Sequence, residues 1–252
     1  MRLLTLARDL SRRKARERRG LFVAEGVRAV EELVRSSLEI EGILVAPQLR
    51  EAPRGAALLE AVLARGLTVE EVGASEFATA AETDSPQGVL GLARIPSLGL
   101  VDIGSAEALR LLILDAVQDP GNVGTIVRTA AALGANAVIA LPGTVDLWNA
   151  KVVRSGMGAH FQIPAIHSTW ADVVSFRAKH NVKLWGAHAG GASIGAEERP
   201  VRLGIVVGNE GAGLSESVRS SVDRLVSIPM AEHSESLNVA VAAGILLHQV
   251  RA

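Results

Sequence analysis

An apolar segment that runs straight into a cluster of turn-forming residues most constrains the fold of this chain. Residues 111–117 have the composition of a buried strand, and Asp119-Pro120-Gly121-Asn122 follows almost at once. Proline and glycine favour a tight exit from the strand, and Asn122 stands where a helix N-cap is expected. An alanine-rich stretch then continues to Gly134, a residue typical of helix ends. The segment therefore predicts a strand, a tight loop and a helix in immediate succession.

The same order of elements occurs twice more near the carboxyl end. Residues 203–207 form an apolar strand that ends at Gly208, the loop Asn209-Glu210-Gly211-Ala212-Gly213 follows it, and a helix is predicted over 214–222. Residues 225–229 form another apolar strand, and Ser236 and Asn238 then open a helix predicted over 237–250. Open α/β sheets bind ligands outside the carboxyl ends of their strands. Polar residues after three such strands therefore predict a functional site at that edge.

The rest of the chain divides into two segments of different pattern. The first segment predicts two helices, over 24–36 and 55–65, and three strands, over 40–45, 68–72 and 89–93. Residues 95–104 contain proline and glycine without a helical period, which indicates a linker. The second segment predicts five strands, over 111–117, 137–141, 183–187, 203–207 and 225–229. Helix-like stretches between most of these strands favour a parallel sheet, so we expect α/β domains over 1–98 and 99–252.

Positive charge is concentrated at the amino end, although the net charge is −1. Residues 1–20 hold eight arginines and lysines against two acidic residues, whereas residues 21–100 hold six basic and twelve acidic residues. Basic groups bind nucleic-acid phosphates and release counterions. We therefore predict a basic amino-terminal arm that contacts RNA, and the alternative is a solvated helix face or a frayed tail.

Several classes of protein and site are excluded or disfavoured by composition. The absence of cysteine excludes disulfides, thiolate metal sites and a cysteine nucleophile. The six histidines lack metal-ligand spacing, and the glycines at 208, 211 and 213 lack the spacing of a dinucleotide fingerprint. No apolar run approaches the roughly 20 residues of a membrane span, and the amino end lacks the pattern of a signal peptide. We expect a cytoplasmic protein without a metal.

The three strand-loop-helix segments resemble, in their order and their residues, the motifs of the SpoU/TrmH family of RNA ribose 2′-O-methyltransferases, in the SPOUT superfamily. This resemblance covers about residues 108–252, and its parts are Asp119-Pro-Gly-Asn-Val-Gly124 with Arg128, the loop 208–213, and Ile228-Pro-Met230 with Ser236-Leu-Asn-Val-Ala240. A weaker resemblance links Phe22-Val-Ala-Glu-Gly-Val-Arg28 and Ser85-Pro-Gln-Gly-Val89 to the ribosomal-protein-like substrate-binding domain of that family.

The resemblance implies a fold, a cofactor and partners. It implies a parallel-sheet carboxyl-terminal domain with a deep trefoil knot, a smaller α/β amino-terminal domain, and a homodimer formed through the knot region. It also implies S-adenosylmethionine as cofactor and ribosomal RNA as substrate. Transfer RNA is the alternative substrate. A base methyltransferase and a non-catalytic RNA- or ribosome-binding protein of the same fold are the alternative functions.

The resemblance also assigns roles to individual residues. It implies catalytic roles for five of them: Arg128, Asn122, Glu210, Ser236 and Asn238. It places four at the cofactor: Gly208, Ile228, Met230 and Leu237. A guanidinium is normally fully charged, so orientation of the ribose hydroxyl and its phosphate is the physically easier role for Arg128. Structural alternatives are a surface ion pair for Arg128, helix capping for the asparagines and core packing for Ile228 and Leu237. Arg154 is a candidate phosphate contact or an ordinary ion pair.

Overall fold

The computed structural model describes residues 2–196, 199–231 and 236–251. Contacts divide the chain into two compact units. The first contains Met1–Ser97 and Trp148–Gln162, and the second contains Leu98–Leu147 and Ile163–Ala252. Within the described part of the chain, none of the helices is both long and apolar enough to cross a bilayer.

The first unit contains a four-stranded mixed sheet. Its helices are α1 (Leu3–Leu10), α2 (Arg13–Arg19), α3 (Val27–Arg35), α4 (Pro53–Ala64) and α5 (Ala74–Ala78). Its strands are β1 (Leu21–Glu25), β2 (Ile40–Val45), β3 (Val69–Glu71) and β4 (Val89–Arg94), in the order β1-β4-β2-β3. The β2–β3 pair is parallel and the other two pairs are antiparallel. The helix predicted from residue 24 begins only at Val27, because Gly26 has a φ of 95° and ends the strand.

The basic amino-terminal segment is folded and is not a free arm. Five apolar side chains of α1 are buried and join the core of the first unit: Leu3, Leu4, Leu6, Ala7 and Leu10. Their helical spacing gives α1 an apolar face. Arg16 is also buried, and its Nη1 donates to the carbonyls of Leu10 and Ser11 at 2.8 Å each. Arginines in this segment therefore serve both the fold and the surface.

The second unit is built on a six-stranded, fully parallel sheet. Its strands are β5 (Leu109–Asp115), β6 (Ala137–Ala140), β7 (Ala165–His167), β8 (Lys183–Ser193), β9 (Arg202–Gly208) and β10 (Arg224–Ser227). Their order is β10-β8-β9-β5-β6-β7, and each neighbouring pair is parallel. The predicted α/β class with a parallel sheet is confirmed. The short strand β7 was not predicted.

The helices of this part of the chain follow the strands in the predicted order. They are α6 (Pro120–Ala132), α7 (Ala150–Gly156), α8 (Trp170–His180), α9 (Glu216–Arg219) and α10 (Val239–Val250). The helix predicted over 214–222 is reduced to the single turn α9. Of these helices, α7 belongs by its contacts to the first unit.

The segment Trp148–Gln162 differs from the sequence-based division at 98/99, because its aromatic residues pack in the first unit. The ring of Phe22 on β1 lies 4.6 Å from Trp148 and 5.8 Å from Phe161, measured between centroids. Aromatic packing of this kind joins residues far apart in sequence. The division of function between the two predicted domains stays a prediction. By its contacts, the segment Trp148–Gln162 belongs to the first unit.

Candidate active site

The loops after β5 and β9 are joined by side-chain hydrogen bonds at the carboxyl edge of the parallel sheet. Asp115 and Gly208 end these strands and lie opposite each other. Asn209 Nδ2 donates to the carbonyl oxygen of Ala116 at 2.9 Å, and the buried Asp115 accepts the amide of Ser215 at 2.6 Å. Ala116 has a φ of 58°, a left-handed conformation that is rare for residues other than glycine. The two loops therefore hold a fixed relative position.

The N-cap of α6 lies three residues earlier than the sequence predicts. Asp119, and not Asn122, is its N-cap, and the Asp119 carboxylate accepts the amide of Asn122 at 2.7 Å. Pro120 occupies the first helical position, where the backbone N–H group would have no intrahelical acceptor, so its absence in proline costs no hydrogen bond. The predicted capping role of Asn122 is therefore wrong. Both residues suit a cap chemically, and only the loop geometry decides between them.

Asn122, Glu210 and Asn238 form a directed chain of hydrogen bonds. Asn238 Oδ1 caps α10 by accepting the amides of Ala240 at 2.9 Å and Val241 at 3.3 Å. Its Nδ2 donates to Asn122 Oδ1 at 3.0 Å, and Asn122 Nδ2 donates to Glu210 Oε1 at 3.1 Å. Because the cap fixes the Asn238 oxygen as an acceptor, the orientation of both amides follows. The structure thus brings one predicted residue from each motif together.

A cavity of about 370 Å³ opens beside these hydrogen-bonded side chains, within the second unit. All four residues predicted at the cofactor line it: Gly208, Ile228, Met230 and Leu237. Glu210 and Ser236 also line it. Met230 and Leu237 are each 37% exposed, which is high for large apolar side chains. The cavity therefore offers uncovered apolar surface next to the polar chain.

The loop 208–213 is compact where it borders the cavity. Asn209 and Gly213 exchange two backbone hydrogen bonds of 2.9 Å, and Asn209 Oδ1 accepts the amides of Gly211 and Ala212 at 2.9 and 3.0 Å. A Cβ atom on Gly208 would lie 2.3 Å from the carbonyl carbon and oxygen of Gly213. Only glycine fits at position 208 without displacement of this backbone.

Arg128 lies outside this cavity. Among the described residues, neither Arg128 nor Asn122 lines it. Arg128 is exposed on α6 and shares a helix face with Gly121 and Thr125, at spacings of seven and three residues. The structure therefore joins Asn122 to Glu210 and Asn238, and it places Arg128 further along the same helix as Asn122.

Several residues at the site were missed by the sequence analysis. Asp115 and Asn209 join the two loops, and His188 and Arg219 line the cavity. Asn209 lies in the second motif loop, so its polar side chain already indicated a role at the site. Arg219 carries no local signal, because its place at the cavity depends on the tertiary packing of α9, whose Val218 is buried in the core of the second unit. The described residues contain no group of three or more His, Asp or Glu side chains placed to hold a metal ion.

Comparison with known families agrees with this geometry. The model of the SpoU rRNA Methylase family matches residues 110–248, which include all three motif loops. The chain belongs to this family. A second model, the MRM3-like substrate binding domain, matches residues 5–91 of this SpoU-family protein. The resemblance seen in the sequence is thus confirmed for both parts of the chain.

Relatives extend over nearly the whole of this SpoU-family chain. A Bacillus subtilis protein named 23S rRNA (guanosine(2553)-2′-O)-methyltransferase RlmP is 34% identical over 245 residues, 97% of this chain and 94% of the relative. The crystal structure of an AdoMet-bound rRNA methyltransferase from Sinorhizobium meliloti has a TM-score of 0.86 at 30% identity, covering 98% of this chain and 93% of that one. The methyltransferase AviRb from Streptomyces viridochromogenes, in complex with AdoMet, has a TM-score of 0.87 at 28% identity, covering 99% and 97%.

Proposed function

We propose that this protein transfers a methyl group from S-adenosylmethionine to a ribose 2′-hydroxyl of ribosomal RNA. The observation that carries the proposal is the hydrogen-bonded chain Asn238–Asn122–Glu210 next to a cavity lined by Gly208 and Leu237. Membership of the SpoU family and the named activity of the Bacillus subtilis relative support the same reaction. Transfer RNA remains the alternative substrate.

The cavity fits S-adenosylmethionine in size and chemistry. Small-molecule sites are concave, mostly apolar and roughly 300–1,000 Å³ in volume, and this cavity of about 370 Å³ has apolar walls from Ile228, Met230 and Leu237. The tight loop at Gly208 allows the close approach of a ligand to backbone. When bound, S-adenosylmethionine supplies an electrophilic methyl group. The crystal structures of relatives from Sinorhizobium meliloti and Streptomyces viridochromogenes contain bound AdoMet.

The residues of the chain then have to orient the RNA. A ribose hydroxyl is a weak nucleophile, so its position relative to the methyl group and the removal of its proton limit the reaction. We assign Arg128 to the ribose and its adjacent phosphate, because a guanidinium binds phosphate through paired donors. Glu210 holds Asn122, Asn238 holds the start of α10, and Ser236 lies at the cavity wall. These roles position substrate and loops without a metal.

An in vitro reaction tests this proposal. Incubation of the protein with methyl-labelled S-adenosylmethionine and an unmodified 23S rRNA transcript should place label in ribose 2′-O-methyl nucleosides, identified by mass spectrometry after digestion. A heat-inactivated sample is the control. Label in a base would contradict the assignment of the 2′-oxygen, and label only in a transfer RNA substrate would identify the alternative target.

The same proposal includes the knotted topology of the second unit and RNA recognition by the first. The family resemblance implies the knot, and the packing of α10 against α6 and β9 is compatible with it. A Cβ atom on Gly244 of α10 would meet Thr129 of α6 at 3.2 Å, so the two helices approach closely. The match of residues 5–91 to a substrate-binding model supports the role of the first unit.

We also expect a homodimer. The family resemblance implies it, and α10 leaves Val241 51% exposed next to small residues. An apolar helix surface of this kind is stabilised when a partner covers it. Sedimentation equilibrium should give twice the chain mass of 26.3 kDa at low concentration. A stable monomer with full methyltransferase activity would contradict this expectation.

A further inference from the structure

A second cavity lies in the first unit and is lined by arginines. Its volume is about 460 Å³, and its basic lining residues are Arg28, Arg54 and Arg154. One acidic residue, Glu25, lines it as well. The lining residues therefore carry three positive charges and one negative charge. Both segments that resemble a substrate-binding domain, 22–28 and 85–89, contribute to its wall.

The single carboxylate of this cavity is fully engaged by the protein. Glu25 is 3% exposed, and its oxygens accept from the amides of Glu82 and Thr83, from the Thr83 hydroxyl and from Arg154 Nη1 at 3.1 Å. Four donors occupy its acceptor sites. Glu25 therefore holds Arg154 in place rather than attracting a cation.

Arg54 is also held by a carboxylate, that of Glu31. Its Nε and Nη2 donate to the two carboxylate oxygens of Glu31 at 2.8 and 2.5 Å. The hydrogen bond from Arg54 holds the pKa of Glu31 below its ordinary range. Paired, planar contacts of this kind fix the direction of a guanidinium. Arg54 and Arg154 are thus oriented before any ligand binds.

The helix α3 adds backbone donors to the same cavity. Gly26 precedes the helix and provides no side-chain cap. The amide of Val27 donates to Gln87 Oε1 at 2.9 Å, whereas the first intrahelical bond runs from the Val30 amide to the Gly26 carbonyl. The amides of Arg28 and Ala29, which line the cavity, are left without an intrahelical acceptor. Such amides and the positive end of a helix favour an anion.

We propose that this cavity binds a phosphate group of the RNA, held by Arg28, Arg54 and Arg154. The proposal rests on the proposed RNA methyltransferase function. The group that the cavity recognises is a phosphate. Two ligands carry this group: the RNA backbone and free inorganic phosphate. The RNA backbone is favoured because residues of the region matched by a substrate-binding model form most of the wall.

Arg28 is the position at which to test this site. It is exposed, and within the described part of the chain no hydrogen bond or salt bridge of its guanidinium is recorded, so its replacement removes only a charge near Glu31. Substitution of Arg54 or Arg154 would remove the cationic partner of Glu31 or Glu25 and would destabilise the unit. Arg65, exposed beyond α4 and away from the cavity lining, provides a matched control.

The experiment measures binding of the full-length protein to an unmodified 23S rRNA transcript over a range of salt concentrations. Arg28→Ala should weaken binding roughly tenfold and make the salt slope shallower by about one phosphate contact. Arg28→Lys should restore the slope, and Arg65→Ala should match the parent. Affinity for S-adenosylmethionine should stay unchanged in all variants, since its proposed cavity lies in the second unit.

Two results would overturn the inference. A salt slope for Arg28→Ala equal to that of Arg65→Ala would show that no RNA phosphate is held there. Binding of inorganic phosphate alone that depends on Arg28, with an unaltered RNA slope, would assign the cavity to a free anion. A parent protein that never methylates RNA would instead refute the proposed function, so the two failures are distinguishable.

Discussion

Replacement of Arg128 with alanine should abolish methyl transfer and leave binding of S-adenosylmethionine intact. Arg128 is exposed on α6 and is not among the residues that line the cavity that we assign to the cofactor, so its replacement should leave that cavity intact. Misplacement of reacting groups by about 1 Å costs roughly 10²-fold in rate, so methyl transfer should fall at least that far. Single-turnover methylation of a 23S rRNA transcript and titration calorimetry with the cofactor measure the two effects separately.

Two further variants sharpen this prediction. Arg128→Lys should also fail, because a compact ammonium does not reproduce the planar fork of a guanidinium. Lys179→Ala, an exposed position on α8, should behave as the parent and controls for surface charge. Activity of Arg128→Ala close to that of the parent would show that the family role does not apply to this residue. Loss of cofactor binding in that variant would show that Arg128 contacts the cofactor, contrary to our assignment to the RNA.

A methyl group at position 208 should damage the cofactor cavity. The Cβ atom of Gly208→Ala would lie 2.3 Å from the backbone of Gly213, so the loop 208–213 has to move. Overpacking of this kind costs about 1–3 kcal/mol, which corresponds to roughly 5- to 150-fold in affinity if it falls on the binding-competent loop. Calorimetry with S-adenosylmethionine measures the change.

Gly195→Ala is the matched control for this substitution. An added Cβ at Gly195 meets no atom within 4 Å, and Gly195 is not among the residues that line the cavity. Thermal unfolding of both variants separates a general loss of stability from a local effect on the loop. Unchanged cofactor affinity in Gly208→Ala would mean that the cofactor does not contact this loop.

The carboxyl-terminal site could be predicted because its signals are local. Apolar runs followed by Pro, Gly and Asn mark the ends of parallel strands, and parallel strands bring these ends to one edge. Gly208, Ile228, Met230 and Leu237 accordingly line one cavity although they span 30 residues of chain. The choice between Asp119 and Asn122 as helix cap was not predictable, since both side chains cap well and a three-residue shift depends on the loop.

The amino-terminal unit was harder to predict for two physical reasons. The arginines of residues 1–20 obscured the leucines of α1, which have helical spacing and fill the core. The packing of Trp148 and Phe161 on Phe22 depends on residues more than a hundred positions apart, and local patterns do not record such contacts. The charge count therefore predicted a binding surface, which stays a prediction, but it did not reveal the fold of this segment.

The most direct test of the proposed function is a map of 2′-O-methyl positions in total RNA from cells with and without the gene. The account predicts that one ribose methylation in 23S rRNA disappears on deletion. It should return when the parent gene is supplied and should not return with Arg128→Ala. An unchanged 2′-O-methyl map in ribosomal and transfer RNA after deletion would contradict the account.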